Sequence, residues 1–445
     1  MVKKVSLKKK LTYPVETETI TYKRKKTKGV RQAIFSQFTP EIIHHELRGE
    51  DCLCPDCQRP LKEIGTTVQR QELIFIPAQL KRVDHIQHAY KCQACSQKNL
   101  SDKIVKAPLA HSLGSASIIA HTIHQKFNLK VPNYRQEEDW NKLGLPISRK
   151  EIANWHIKSS QYYFEPIYTL LHEKLLEQPI LHADETSYKV LECDRQLTYY
   201  WTFLSGKQEA QGITLYHHDK RRSSLVVQEV LGDYTGYVHC DMWSAYRQLP
   251  NATLVGCWAH VRRKFFEATP KKADTTSLGS KGLAYCDQLF SLEREWEGLS
   301  AEERLYNRQA ELTPLMDEFF DWCREQAVLP GSKLGAAIEY SLNYEPTFRT
   351  ILSDGNLVLS NNIAERAIKV LVMGRKNWLF SQSFEGAKST AVILSLLEAA
   401  KRHDLDSEKY MTYLLEHLPN EETLVKKEVL EAYLPWNERI KKVCK

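Results

Sequence analysis

No stretch of this chain holds 18 or more consecutive apolar residues, which excludes a membrane-spanning helix. Its first ten residues, Met1-Val-Lys-Lys-Val-Ser-Leu-Lys-Lys-Lys10, lack the apolar core of a secretory signal, so a cytosolic protein is expected. There is no internal repeat and no low-complexity segment beyond the N-terminal lysines, which argues against a solenoid. Residues 1–31 carry no heptad pattern and so predict no coiled coil there. Eleven cysteines in a cytosolic chain do not suggest a disulfide framework.

What is present fits a large globular protein. At 445 residues with 42% hydrophobic side chains, the chain can bury several cores and predicts two to four domains. The formal net charge of +7 is unevenly placed. Residues 1–31 hold 11 Lys/Arg against two Glu, a local +9, so the other 414 residues sum to −2. That basic arm, with Lys23, Arg24, Lys25 and Lys26 at its centre, is suited to neutralising phosphates without reading sequence. A solvated tail is the plainer alternative.

Four cysteines have metal-ligand spacing. Cys54-Pro-Asp-Cys57 and Cys92-Gln-Ala-Cys95 can supply four thiolates to one tetrahedral Zn²⁺, a set that leaves no open position and so predicts a structural site. The 34 residues between the pairs are more than a short ribbon needs, and the strand-like Glu72-Leu-Ile-Phe-Ile76 lies among them. Cys52 is a spare thiol. Cys193, Cys240, Cys257, Cys286, Cys323 and Cys444 show no pairing logic and read as small apolar residues.

Composition shifts divide the chain into a basic arm over 1–50 with a short polar helix near Pro40–Leu47, a zinc ribbon over 51–105, and helices over 110–178. Within the helices, Ser148-Arg-Lys-Glu151 is a capping box that follows the turn Gly144-Leu-Pro146. Helix, turn and a capped helix opening on Arg149 and Lys150 suit a helix-turn-helix reader of DNA as well as an ordinary helical hairpin. Residues 179–269 then read as three strands (179–184, 198–203, 212–216), a helix (223–231), a strand (236–240), a helix after Trp243 and a fifth strand (253–256). That order resembles a ribonuclease-H-like core, with Asp184 ending the first strand and Asp241 the fourth. Residues 270–350 read as a polar helical insertion, 351–402 as the last part of the core, and 403–445 as C-terminal helices.

Three segments place carboxylates where metal-dependent DNA chemistry needs them: Leu181-His-Ala-Asp184, Val238-His-Cys-Asp241 and Asn361-Asn-Ile-Ala-Glu365. Two Asp on strands and one Glu on a helix can hold a pair of Mg²⁺ or Mn²⁺ ions that clamp the attacking and leaving oxygens of a phosphoryl transfer. Each has a plainer role: a strand-end cap for Asp184, a helix cap for Asp241, and for Glu365 the N3 acid of a cap at Asn362 paired with Lys369. Glu185 is a rival ligand that strand alternation turns to the opposite face. Around them, Cys257-Trp-Ala-His260 puts a histidine ahead of Arg262 and Arg263. Arg375-Lys-Asn-Trp378 offers two cations for phosphate and an indole for base stacking, or a core tryptophan with flanking surface charge.

These blocks resemble the transposases of the insertion-sequence-66 family. The likeness is carried by the CxxC pair, His182-Ala-Asp-Glu-Thr186, Gly256-Cys-Trp-Ala-His-Val-Arg-Arg-Lys-Phe265, Asn361–Lys369 and Gly374-Arg-Lys-Asn-Trp-Leu-Phe380, in family order over roughly residues 40–418. The resemblance implies a DDE-type transposase with Asp184, Asp241 and Glu365 as catalytic magnesium ligands and His260 as a structural neighbour. It also implies a zinc domain ahead of the core and a helical insertion within the 124 positions from Asp241 to Glu365. Its partners would be the element's DNA ends and target DNA, a second copy on paired ends, and accessory proteins of the same element, placing it at the nucleoid. Members usually begin with a longer Leu-rich helix, whereas this chain starts close to its basic segment. A DNA-binding derivative without chemistry and a two-metal nuclease without joining are the rival readings.

Overall fold

The computed structural model describes residues 30–47, 49–68, 70–73, 78–91, 99–101, 104–270 and 276–445. The chain divides into two compact units, residues 1–81 and 82–445. In the first, a short helix α1 (Val30–Phe35) precedes an irregular stretch. The helix expected near Pro40–Leu47 does not form there, as Glu41–Leu47 has no regular structure and is exposed throughout. With every one of these residues exposed, a segment this short falls below the length at which a helix holds alone.

The second unit opens with a two-stranded ribbon, β1 (Ala89–Lys91) and β2 (Asn99–Ser101). Helices α2 (Ala116–Phe127), α3 (Asn133–Lys142), α4 (Arg149–Ser159) and α5 (Glu165–Leu176) follow. The capping box forms as read: Glu151 N–H donates to Ser148 Oγ (3.2 Å), and Ser148 N–H to Glu151 Oε2 (2.8 Å). Ile152 and Trp155 bury the inner face of α4, while Arg149 and Lys150 stay exposed.

Five strands make the central sheet: β3 (Ile180–Tyr188), β4 (Thr198–Ser205), β5 (Thr214–Asp219), β6 (Tyr237–Cys240) and β7 (Thr253–Gly256). Their spatial order is β5-β4-β3-β6-β7. The first three are antiparallel neighbours, whereas β3, β6 and β7 run parallel. The parallel part is short and apolar, with Leu181, Val238 and Val255 buried, as strands covered on both faces must be. Between β5 and β6 lies α6 (Ser224–Leu231), and after β7 comes α7 (Trp258–Ala268).

Two expectations shift. Asp184 is the fifth residue of a nine-residue strand rather than its end, because Thr186 to Tyr188 continue the pairing with β4. The helix expected after Trp243 shrinks to one 3₁₀ turn, Tyr246–Gln248. There Asp241 Oδ1 accepts the Trp243 N–H (2.9 Å), and Met242 adopts a left-handed φ of 66°, so the chain turns locally instead of winding on.

Helices α8 (Leu278–Glu295), α10 (Thr313–Glu325), α11 (Lys333–Asn343) and α12 (Glu345–Arg349) form a second apolar cluster with Trp258, Val261 and Phe265 of α7, and α9 (Ala301–Asn307) lies between α8 and α10 in the chain. Arg308, fully buried in a π-turn between α9 and α10, ties this layer together. Its guanidinium donates to both Glu293 oxygens (2.6 and 2.9 Å) and to the carbonyls of Ile351, Asp354 and Leu357, so the buried charge is paired and its donors are met. The chain then enters α13 (Asn362–Trp378) and α14 (Phe384–Arg402), which packs along β5. It closes with α15 (Ser407–His417), α16 (Lys427–Glu431) and α17 (Glu438–Cys444). Among the described residues, no helix is long and apolar enough to cross a membrane.

Candidate active site

Sheet register brings the two aspartates together. β3 pairs with β6 in parallel through Leu181↔Val238 and His182↔His239. Asp184 lies two residues further along β3 and Asp241 one residue past the end of β6, so the two carboxylates meet where the parallel pairing ends, close enough for the Asp241 charge to act on Asp184. Helix α13 packs on β3 and carries Glu365 in its first turn.

The electrostatics are those of crowded, partly dehydrated acids. Burial, followed by the charge of Glu185, pushes the Asp184 carboxyl up to about 7, with Asp241 and Glu365 adding to the rise. Glu185 is turned away as strand alternation requires. Its side chain, 3% exposed, accepts from Tyr246 Oη (2.7 Å) and from Arg222 (2.7 and 3.0 Å), and the Arg222 guanidinium lies 4.3 Å over the Trp243 ring. Each aspartate spends one oxygen on the backbone, Asp184 on Glu185 N–H and Asp241 on Trp243 N–H, both at 2.9 Å. From α11, Tyr340 Oη donates to the Asp241 carbonyl (2.9 Å).

Glu365 faces α7. Its Oε1 lies 3.4 Å from His260 Nε2 and 3.8 Å from the Arg263 guanidinium, yet this buried oxygen accepts no hydrogen bond. Burial holds His260 below its usual range, although Asp241 and Glu365 pull it upward. Among the described residues, no three His, Cys, Asp or Glu side chains converge closely enough to enclose an ion. The donor chemistry nonetheless suits a hard divalent cation: three carboxylates, one carrying an unmet buried oxygen and one pressed toward its neutral form by burial first and then by Glu185, Asp241 and Glu365.

Sequence reasoning missed Asn361, His182 and His239. Asn361, 2% exposed, sits at the cap of α13 in place of Asn362, but its side chain does not cap. Instead it donates to the Ala183 carbonyl (2.8 Å) and accepts from His182 Nδ1 (2.9 Å), while its N–H reaches Cys257 Sγ (3.1 Å). His182 stacks on His239 with centroids 4.3 Å apart and planes 7° from parallel. The signal available was the repeated spacing His182-x-Asp184 and His239-x-Asp241.

The expected DNA-contacting residues scatter. Lys23 to Lys26 lie outside the described residues. Arg149 lies 3.9 Å from Glu137, and Arg262 pairs with Asp287 (2.6 Å). Arg263, Lys369 and Lys376 are exposed near or along α13. Arg375 is half-buried and donates to the Ser187 carbonyl, tying α13 to β3. Trp378 packs edge-on against Phe127, at 5.8 Å.

In the first unit, Cys54-Pro-Asp-Cys57 forms a tight loop. Gln58 N–H donates to the Cys54 carbonyl and Cys54 N–H to the Arg59 carbonyl, both at 2.8 Å. The Cys57 and then the Asp56 backbone N–H groups hold the Cys54 thiol below its usual range, as a thiolate metal ligand requires. Cys92 and Cys95 lie outside the described residues. Cys240, Cys257, Cys286, Cys323 and Cys444 are buried, consistent with their reading as small apolar residues.

Two family models match the chain. Residues 51–96 match the zinc-finger binding domain of transposase IS66, and residues 111–389 match the IS66 transposase family. The second match covers well over half of the sequence: the chain belongs to the IS66 family of transposases. It is also similar to three uncharacterized proteins of Sinorhizobium fredii (strain NBRC 101917 / NGR234). The protein y4hP is 26% identical over 86% of this chain and 73% of its own length, and y4jD is 27% identical over 89% and 79%. The third, y4qI, is 26% identical over 73% and 63%.

Proposed function

We propose that the protein is a DDE transposase that binds the inverted ends of its insertion sequence, cuts there and joins the ends to target DNA. The carrying observation is the β3–β6 register, which sets Asp184 beside Asp241, with Glu365 approaching on α13. A ribonuclease-H-like core is supported by the order β5-β4-β3-β6-β7 with only β3, β6 and β7 parallel.

Asp184, Asp241 and Glu365 would hold two Mg²⁺ or Mn²⁺ ions. When bound, such ions activate the attacking water or 3′-hydroxyl and stabilise the leaving 3′-oxygen. The remaining work falls to the chain. Glu185 is kept out of the ligand set by Arg222 and Tyr246. His260, neutral and beside Glu365, steadies that carboxylate without adding charge. Arg263, Lys369 and Lys376 flank Glu365 and the exposed side of α13, where backbone phosphates would lie. Cys54, Cys57, Cys92 and Cys95 would hold one structural Zn²⁺. The helix pair α3–α4, with Arg149 and Lys150 at the start of the second helix, suits end recognition. Action as a multimer on paired ends, with accessory proteins of the same element, belongs to the same proposal.

The test is strand transfer with labelled DNA carrying the element's end, with and without Mg²⁺, for the wild type and Glu365→Gln. Joining that needs the metal and vanishes in the variant is expected. Equal joining by Glu365→Gln would remove Glu365 from the site, and wild type that binds ends but never cuts would sink the catalytic reading.

A further inference from the structure

The side chain of Asn361 is spent in an unusual place. Asparagine at a helix cap ordinarily accepts a stabilising hydrogen bond from the second or third helical N–H. Here no side-chain cap bond is made, although α13 begins immediately afterwards. Both polar atoms point across to β3 instead. Because Nδ2 donates to the Ala183 carbonyl, Oδ1 must accept, so His182 presents a protonated Nδ1 to it. The backbone N–H of Asn361 meets Cys257 Sγ at the head of α7, and the carbonyl of Leu359, two residues earlier, accepts from Trp258 N–H (2.8 Å). Asn361 therefore bolts together the residue before Asp184, the helix carrying Glu365 and the helix carrying His260.

The histidine pair explains how its partner is kept in place. His239 is fully buried, and neither ring nitrogen has a hydrogen-bond partner. Leaving buried polar atoms unpaired is destabilising, so the ring is poorly accounted for as filler. Its near-parallel stack on His182 fixes the plane in which His182 offers Nδ1.

The geometry points to Asn361 as a positioning residue that sets the approach of Glu365 to Asp184, with the stacked His182 and His239 rings holding its bonding partner in plane. This rests on the three-carboxylate reading above, but it concerns placement and can be read without catalysis.

The experiment uses full-length, zinc-loaded protein as wild type, Asn361→Ala and Asn361→Asp. Aspartate keeps an acceptor for His182 and loses the donor to Ala183. Three quantities are measured: hydrogen exchange of the amides of residues 362–368, Mn²⁺ binding followed by electron paramagnetic resonance, and the Mg²⁺ dependence of end cleavage. Supporting cation ligands through a second layer of bonds commonly governs metal affinity by 10- to 100-fold. Asn361→Ala should therefore weaken Mn²⁺ binding and raise half-saturating Mg²⁺ by about tenfold or more. Exchange at the start of α13 should rise while α8 stays protected and binding of end DNA without metal is unchanged. Asn361→Asp should fall between, and it carries the test if the alanine variant does not fold. A merely structural role would loosen α8 and α13 together and leave the metal dependence of the folded fraction as in wild type, and that result overturns the inference. If wild type binds Mn²⁺ yet never cleaves, the catalytic reading fails, while exchange and Mn²⁺ affinity still decide the role of Asn361.

Discussion

On the proposed reading, the Cys54–Cys57 knuckle and the carboxylate site answer the same demand, negative ligands for a cation, by opposite means. In the knuckle, five consecutive residues turn so that backbone N–H groups face the Cys54 sulfur and favour the thiolate before any metal arrives. In the carboxylate site, three acids from β3, the end of β6 and α13 are gathered across 181 positions of sequence, counted from Asp184 to Glu365, and the fold opposes the charge of Asp184. Burial first, then the charge of Glu185 with those of Asp241 and Glu365, pushes its carboxyl up to about 7, and Glu365 keeps an unbonded buried oxygen. A site prepared by its own backbone is held ready locally. A site assembled from distant elements stays unsatisfied until a cation supplies what the protein withholds.

The largest expected break in this contrast is chemical. Alanine at Asp184, Asp241 or Glu365 should lower end cleavage by on the order of 10³-fold or more, with DNA binding retained. A gel assay that found cleavage preserved in one variant would exclude that residue from the site.

Next in size is the strain on Asp184. Its folded-state pKa lies above its unfolded value, so the stability it contributes is full below about pH 4 and is lost as pH rises through about 7. Compared with Asp184→Asn, the wild type without added divalent ion should gain roughly 2–3 kcal/mol between about pH 8 and about pH 5. Buried His182 and His239 and half-buried His260 titrate in the opposite sense but are common to both proteins. Parallel urea-denaturation curves for the two would show that Asp184 is not under strain.

For the knuckle, Cys54→Ser should reduce bound zinc, and in metal-free protein Cys54 should alkylate several-fold faster near neutral pH than an ordinary exposed thiol. Mass spectrometry after timed iodoacetamide labelling measures this. An ordinary rate would mean that the backbone donors do not prepare the ligand.

The smallest effect belongs to the guard on Glu185. Arg222→Ala removes its charge partner but leaves the Tyr246 hydrogen bond, and stability should fall by about 2 kcal/mol. An unchanged melting temperature would show that Glu185 is held by Tyr246 alone.

Local signals were legible in the sequence, and partnerships between distant segments were not. The capping box at Ser148 needs four residues and formed as read. The strand Thr198-Tyr-Tyr-Trp-Thr-Phe203 announced itself through aromatic and β-branched side chains. The helix after Trp243 failed because one aspartate oxygen and a left-handed methionine turned the chain first. Asn361 carried no signal of its own beside the cap expected at Asn362, since its partner His182 lies 179 positions away. Trp378 offered an equal choice between base stacking and packing, and the neighbour it packs on, Phe127, sits in α2.

The parallel alignment of His182 with His239 also acts as a ruler. His182 and His239 are in register on adjacent parallel strands, so the backbone points from which the chain runs on to Asp184 and Asp241 are one interstrand spacing apart, about 4.8 Å. Substitutions that loosen the surrounding core can lower stability without changing that gauge. Only a slip of register would change it, and a slip of one residue would turn one histidine and the residues after it to the other side of the sheet. The starting points of the two acids are thus a property of the main chain, insulated from drift in the side chains around them.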